Sequence, residues 1–174
     1  FDSWSGACTG TDPTDCSITM DADKSVTANF DINTYTITGN VGMQGVKITY
    51  GTGASEYATS TSTGDYTITV VYGWSGRLTP SKEGYSFSPE YKDIGPVTAN
   101  VTGQNFNATA VTYTISGNAG VAGATLSYTD GTAKTATSEG DGSYSFSVSY
   151  NWSGTVTPSL VGYTFSPDSK TYTN

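Results

Sequence analysis

Shifting the sequence by 78 residues lays Tyr35–Pro96 onto Tyr113–Asn174 without a gap, and 28 of the 62 aligned pairs are identical. Tyr35-Thr-Ile-Thr-Gly39-Asn40 meets Tyr113-Thr-Ile-Ser-Gly117-Asn118, and Trp74-Ser75-Gly76 meets Trp152-Ser153-Gly154. Gly84-Tyr85-Ser86-Phe87-Ser88-Pro89 meets Gly162-Tyr163-Thr164-Phe165-Ser166-Pro167. A self-similarity of this length marks two tandem copies of one folding unit, so any fold proposed for one copy must also suit the other.

Each copy carries the period of a half-buried strand. Tyr66, Ile68, Val70 and Tyr72 alternate with polar Thr67 and Thr69, and Tyr144, Phe146, Val148 and Tyr150 alternate with serines. One apolar and one hydroxyl face at a period of two predicts that these eight side chains enter a core. Val46–Tyr50 and Ala124–Tyr128 repeat the pattern. Turn signals at Gly51-Thr52-Gly53, Ser62–Asp65, Asp130-Gly131 and Gly140–Gly142 separate the runs. No stretch has a helical apolar stripe, and 21 Gly with 6 Pro would punctuate any helix. The fold class read from this pattern is all-β, with tandem sandwiches.

Composition narrows the function. The chain has 7 Lys+Arg against 15 Asp+Glu, a net charge of −8 and no histidine. Such an acidic surface repels phosphate backbones, which argues against nucleic acid as a partner. Without histidine, the Ser-His, Cys-His and zinc-His sites are excluded. No apolar run approaches the ~18 residues of a membrane-spanning helix. No carboxylate pair or Ser-x-x-Lys context stands out as catalytic, so the segment is read as a non-enzyme.

The residues from Ile115 to Gly117 and Val121 to Tyr128, followed by Thr137–Phe146, resemble the carboxypeptidase regulatory-like domain, a group similar to the B-type repeats of bacterial surface adhesins. The resemblance implies tandem prealbumin-like (Ig-like) sandwiches of about seven strands, non-catalytic and carried by secreted or surface proteins. Phe1–Gly10 and Cys16–Phe30 resemble the C-terminal part of a bacterial repeat domain found in large secreted multidomain proteins. Three units are expected: 1–31, the C-terminal part of such a module; 32–110, sandwich repeat 1; and 111–174, sandwich repeat 2 with its closing strand missing.

The candidate sites are few. Cys8 and Cys16 are read as a disulfide closing a short turn, with two buried free thiols as the alternative. Trp74 and Trp152 stand at equivalent repeat positions, as corner residues of the core or as platforms for sugar stacking; Trp4 starts a third Trp-Ser-Gly. Acidic turn residues (Asp12 and Asp15, Asp21 and Asp23, Glu139 and Asp141) could ligate calcium, but none has the spacing of a dedicated calcium loop. They are read first as solvated carboxylates, with no cofactor expected. Asn100, Asn107 and Asn151 sit in glycosylation-type tripeptides. A Lys–Asn crosslink would draw on Lys47 with Asn105 or Asn107, although Lys47 becomes Thr125 in the second copy.

These features favour an extracellular structural segment, a stalk, fibre or filament subunit, with a carbohydrate-binding module or adhesin as the alternative. Partners are expected to be neighbouring modules or copies of the chain, with glycan as a further option. Val97–Thr109 reads as the closing strand of repeat 1, and the sequence has no equivalent after Asn174. Two explanations stay open: strand complementation by another chain, with Val26–Phe30 as candidate donor, or a chain that stops short of its own last strand.

Overall fold

The period-two segments pair as their patterns dictate in a computed structural model that describes residues 1–51 and 56–174. The Gly51–Gly53 turn reading therefore lies partly outside the described residues. In repeat 1, β3 (Thr34–Asn40) pairs antiparallel with β6 (Asp65–Val71), with Ile37 opposite Ile68. The facing sheet has the order β5 (Tyr57–Thr59), β4 (Lys47–Thr49), β7 (Gly76–Ser81), β9 (Lys92–Ile94). A further pair joins β8 (Tyr85–Ser88) to β10 (Asn107–Ala110). Ile37, Ile48, Ile68, Leu78 and Phe106 fill the space between the sheets, each at most 2% exposed.

Repeat 2 reproduces the frame. β11 (Thr112–Asn118) pairs with β14 (Ser143–Ser149), Ile115 opposite Phe146. The second sheet runs β13 (Thr132–Thr137), β12 (Thr125–Asp130), β15 (Gly154–Ser159), β16 (Lys170–Tyr172). Its core holds Leu126, Tyr128, Phe146, Val148 and Val156. Ahead of both repeats, β1 (Ser3–Gly6) pairs with β2 (Val26–Asn29), Trp4 opposite Ala28. The molecule is all-β, with eight strands in 32–110 and six in 111–174 among the described residues. No helix among them is long and apolar enough to cross a membrane.

Two of the eight predicted core side chains in the central strands point elsewhere. Tyr72 and Tyr150 are exposed, at 59% and 39%. β6 ends at Val71 and β14 at Ser149, so each tyrosine falls one residue past the pleat that would have aimed it inward. Its ring instead covers the first tyrosine of its repeat, Tyr35 or Tyr113, with centroids 6.3 and 6.2 Å apart. The other six behave as the alternation requires, except that Tyr144 is only half-buried where Tyr66 is 2% exposed.

Both repeats enclose a buried serine in the same role. Ser60 Oγ donates to the Met43 carbonyl at 2.8 Å and accepts from Val46 N–H at 2.9 Å. Ser138 Oγ donates to Val121 at 2.7 Å and accepts from Ala124 at 2.8 Å. A strand entry buried in the core would otherwise leave one donor and one acceptor unpaired, so the hydroxyl satisfies both at once.

Candidate functional site: the open sheet edge and the aromatic corners

The tryptophan corners follow from local packing. In repeat 1 the Trp74 indole folds over its own chain, and a Cβ on Gly76 would lie 2.5 Å from its ring; Gly154 stands in the same relation to Trp152. The Trp-Ser-Gly triplet is therefore a steric unit: the ring needs a glycine two residues on. Trp74 meets Tyr50 edge-on at 6.3 Å, and Trp152 meets Tyr128 edge-on at 6.3 Å. Trp152 Nε1 donates to the Thr129 carbonyl at 2.7 Å. Trp4 Nε1 donates to Asp12 at 3.1 Å, and its ring lies 5.1 Å from Phe1. Trp74 and Trp152 are half-buried, one in each repeat, packed against separate cores.

Beside Trp4, Cys8 and Cys16 are joined, with Cα atoms 5.7 Å apart. The turn they close is held by Asp12, whose carboxylate accepts from Thr14 N–H at 2.8 Å and Thr14 Oγ1 at 2.7 Å. Those two bonds hold the Asp12 carboxyl below the usual range. Asp141 is lowered likewise by Ser143, and Asp21 by Lys24 at 2.6 Å. These carboxylates are thus partnered by local donors, and no three His, Cys, Asp or Glu side chains converge among the described residues. The Lys47 ammonium lies 4.4 Å over the Tyr57 ring, whereas Asn105 Oδ1 accepts from Asn40 N–H on the other sheet. Asn107 belongs to β10, opposite Ser88. Asn100 Oδ1 accepts from Thr36 N–H at 3.0 Å, and Asn151 occupies a turn with φ 63°.

The two repeats differ most along the outer edge of β3 and β11. In repeat 1 the segment from Val97 to Phe106 lies along β3. Val101 N–H donates to Thr36 O at 2.8 Å, Thr38 N–H donates to Val101 O at 2.9 Å, and Gln104 N–H donates to Thr38 O at 3.0 Å. Phe106 N–H donates to Asn40 O at 3.0 Å. Val101 and Ile37 form a parallel bridge, and the Tyr66 hydroxyl donates to the Gln104 carbonyl. Val97 and Phe106 are buried by this arrangement, at 1% and 2% exposure.

In repeat 2, β11 pairs with β14 alone among the described residues. Ile115 is half-buried where Ile37 is fully buried, and Tyr113 is 53% exposed. Tyr163–Ser166, equivalent to β8, forms no strand. A cavity of about 450 Å³ opens here, lined by Gly117, Leu126, Tyr144, Val156, Phe165 and Lys170 among others. Sequence comparison singled out the segment after Pro96, which lies along β3 in repeat 1. It missed Ser60 and Ser138, although the identical Ala-Thr-Ser triplets that contain them were a readable signal.

Comparison with known proteins accords with this architecture. Residues 1–34 match the family model of the divergent InlB B-repeat domain. The TIE protein of Bacillus anthracis superposes with a TM-score of 0.58 at 12% identity, over 87% of this chain and 34% of that one. The likeness is one of fold, and the chain spans about a third of that structure. A streptococcal ancillary pilin aligns at 12% identity over 81% of this chain and 58% of the pilin, with a TM-score of 0.37. A DUF3823 family protein from Parabacteroides merdae aligns at 12% identity over 72% and 89%, with a TM-score of 0.32. Both scores are too low to carry an argument. No curated protein sequence matches.

Proposed function

We propose that this chain is a non-enzymatic structural segment of a bacterial surface or secreted protein, in which the repeats act as a load-bearing spacer. The observation that carries this reading is the junction between them. β10 ends at Ala110 and β11 begins at Thr112, leaving Val111 alone between the strands. Val111 N–H donates to Gly84 O of repeat 1 at 2.8 Å, and its carbonyl accepts from Tyr150 N–H of repeat 2 at 3.0 Å. A linker of one residue, hydrogen-bonded to both sides, has little rotational freedom to lose and transmits force directly from strand to strand. The B-repeat match at the N-terminus supports a surface setting, and the Cys8–Cys16 bridge suits an oxidising one.

Single-molecule stretching between the chain ends tests the reading. Two discrete unfolding events are expected, one per repeat, each releasing roughly 20–25 nm at ~3.6 Å per extended residue. Smooth extension at low force, with no discrete event, would contradict a load-bearing role.

A further inference from the structure

We propose that the outer face of the β5-β4-β7-β9 sheet in repeat 1 binds a neutral, extended polysaccharide along a row of side chains with a tyrosine at each end. Ile48 and Leu78 point into the core, so Thr49 and Thr79 face away from it by the alternation of a strand. Tyr57 lies opposite Thr49, and Thr49 opposite Thr79. Continuing the β7–β9 register one residue beyond the Leu78 and Lys92 pair sets Tyr91 beside Thr79. The row is therefore Tyr57, Thr49, Thr79, Tyr91, and the two tyrosines are 52% and 43% exposed. Three strand spacings separate its ends, so the rings bracket about 14 Å of sheet, the span of roughly three pyranose units. A sugar ring offers an apolar C–H face to a tyrosine and a rim of hydroxyls to the threonines between.

Both rings are held in place. The Arg77 guanidinium lies 3.6 Å from the centroid of Tyr91, and the Lys47 ammonium 4.4 Å from that of Tyr57. A cation against one face fixes a ring, and the exposure of each residue leaves aromatic surface for a ligand. Arg77 is itself neutralised by Asp93 through hydrogen bonds of 2.7 and 3.1 Å. The face thus has little charge to offer an anionic sugar, and the net charge of −8 opposes one. A neutral glycan meets neither obstacle. The straight row suits the ribbon of an equatorially linked glycan such as cellulose or chitin, not the coil of an axially linked one such as amylose. Repeat 2 is a built-in contrast, with Thr135 in place of Tyr57 and Ser169 in place of Tyr91. Thr125 and Thr155 replace the two cations, and Thr171 replaces Asp93. Trp74 and Trp152, the other candidates for sugar stacking, are half-buried against the cores. The proposal adds a ligand to the spacer reading without depending on it: the stretching experiment can succeed or fail whatever this face binds.

The test titrates the full 174-residue chain with cellohexaose and with chitohexaose, followed by amide chemical shifts and by calorimetry. Saturable binding of at least one sugar is expected, with the largest shifts at Thr49, Tyr57, Thr79 and Tyr91. Their repeat 2 counterparts Ser127, Thr135, Thr157 and Ser169 should stay in place. Tyr57→Thr and Tyr91→Ser, residues that the same frame carries in repeat 2, should each weaken binding at least roughly tenfold, as the loss of an aromatic anchor does. Tyr57→Phe and Tyr91→Phe keep the rings and should keep the affinity. Four outcomes would overturn the proposal: no saturable binding of either sugar at about 5 mM, shifts in repeat 2 as large as those in repeat 1, unchanged affinity of the Tyr57→Thr and Tyr91→Ser variants, or maltohexaose or an oligogalacturonate binding as tightly as the two probes.

Discussion

Repeats 1 and 2 share the frame, the buried serine and the tryptophan corner, yet the same core is closed in one and open in the other. Ile37 and Tyr66 are sealed where Ile115 and Tyr144 remain half-buried, and the difference traces to the segment laid along β3. The comparison teaches that two facing sheets do not by themselves complete this core. Val97, Val101 and Phe106 finish it from outside the strand alternation, through backbone bonds to one edge and a single aromatic plug. Apolar burial and edge satisfaction are supplied by the same ten residues, so they are gained or lost together.

The largest expected effect breaks that closure. Phe106→Ala should destabilise repeat 1 by about 3–5 kcal/mol through lost burial and the cavity left behind. Urea unfolding followed through the amide signals of each repeat would check this, with repeat 2 signals moving little. Loss of stability shared equally by both repeats would break the comparison.

A smaller, symmetrical effect is expected at the buried hydroxyls. Ser60→Ala and Ser138→Ala should each cost about 1–3 kcal/mol in their own repeat, because a core amide and a carbonyl lose their partner. The same unfolding measurement checks them. A near-zero cost in repeat 2 alone would mean that water reaches Ser138 through the open side, which would sharpen the contrast further.

The smallest effect is alkaline. Burial pushes the Tyr66 hydroxyl up to about 12, while burial raises Tyr144 as well. The folded state holds the Tyr66 proton more tightly than the unfolded chain, whose tyrosines titrate near ~10. The associated stability is therefore present below pH ~10 and is lost as the pH rises towards 12. Repeat 1 should lose stability across that window, and Tyr66→Phe should flatten the dependence. An unchanged slope in Tyr66→Phe would remove Tyr66 from the account.

Much of this was legible in the sequence. Gap-free self-similarity gave two equivalent units, and the alternation of Tyr66–Val70 and Tyr144–Val148 gave the inward faces. The rest failed for identifiable reasons. Tyr72 and Tyr150 continue the alternation on paper, but periodicity carries no mark of where a strand stops pairing. β13, Thr132–Thr137, is an edge strand with mostly exposed polar and small residues, so it offers no apolar rhythm to read. A serine whose two hydrogen bonds are both to backbone looks in a single copy like any surface serine, and only the repeated Ala-Thr-Ser triplet marks Ser60 and Ser138. The tryptophans stand out as a repeated pair, but the glycine beneath each ring becomes explicable only once the indole is seen to fold back on it.

Amide hydrogen exchange at equivalent positions of β3 and β11 tests the central claim most directly. Thr38 N–H is bonded to Val101 O behind a closed core, and Ser116 N–H faces the uncovered edge. The account predicts that Thr38 exchanges only through substantial opening of repeat 1, whereas Ser116 exchanges close to the rate of an unprotected amide. Equal protection at the two positions, in the isolated chain at low concentration, would contradict it.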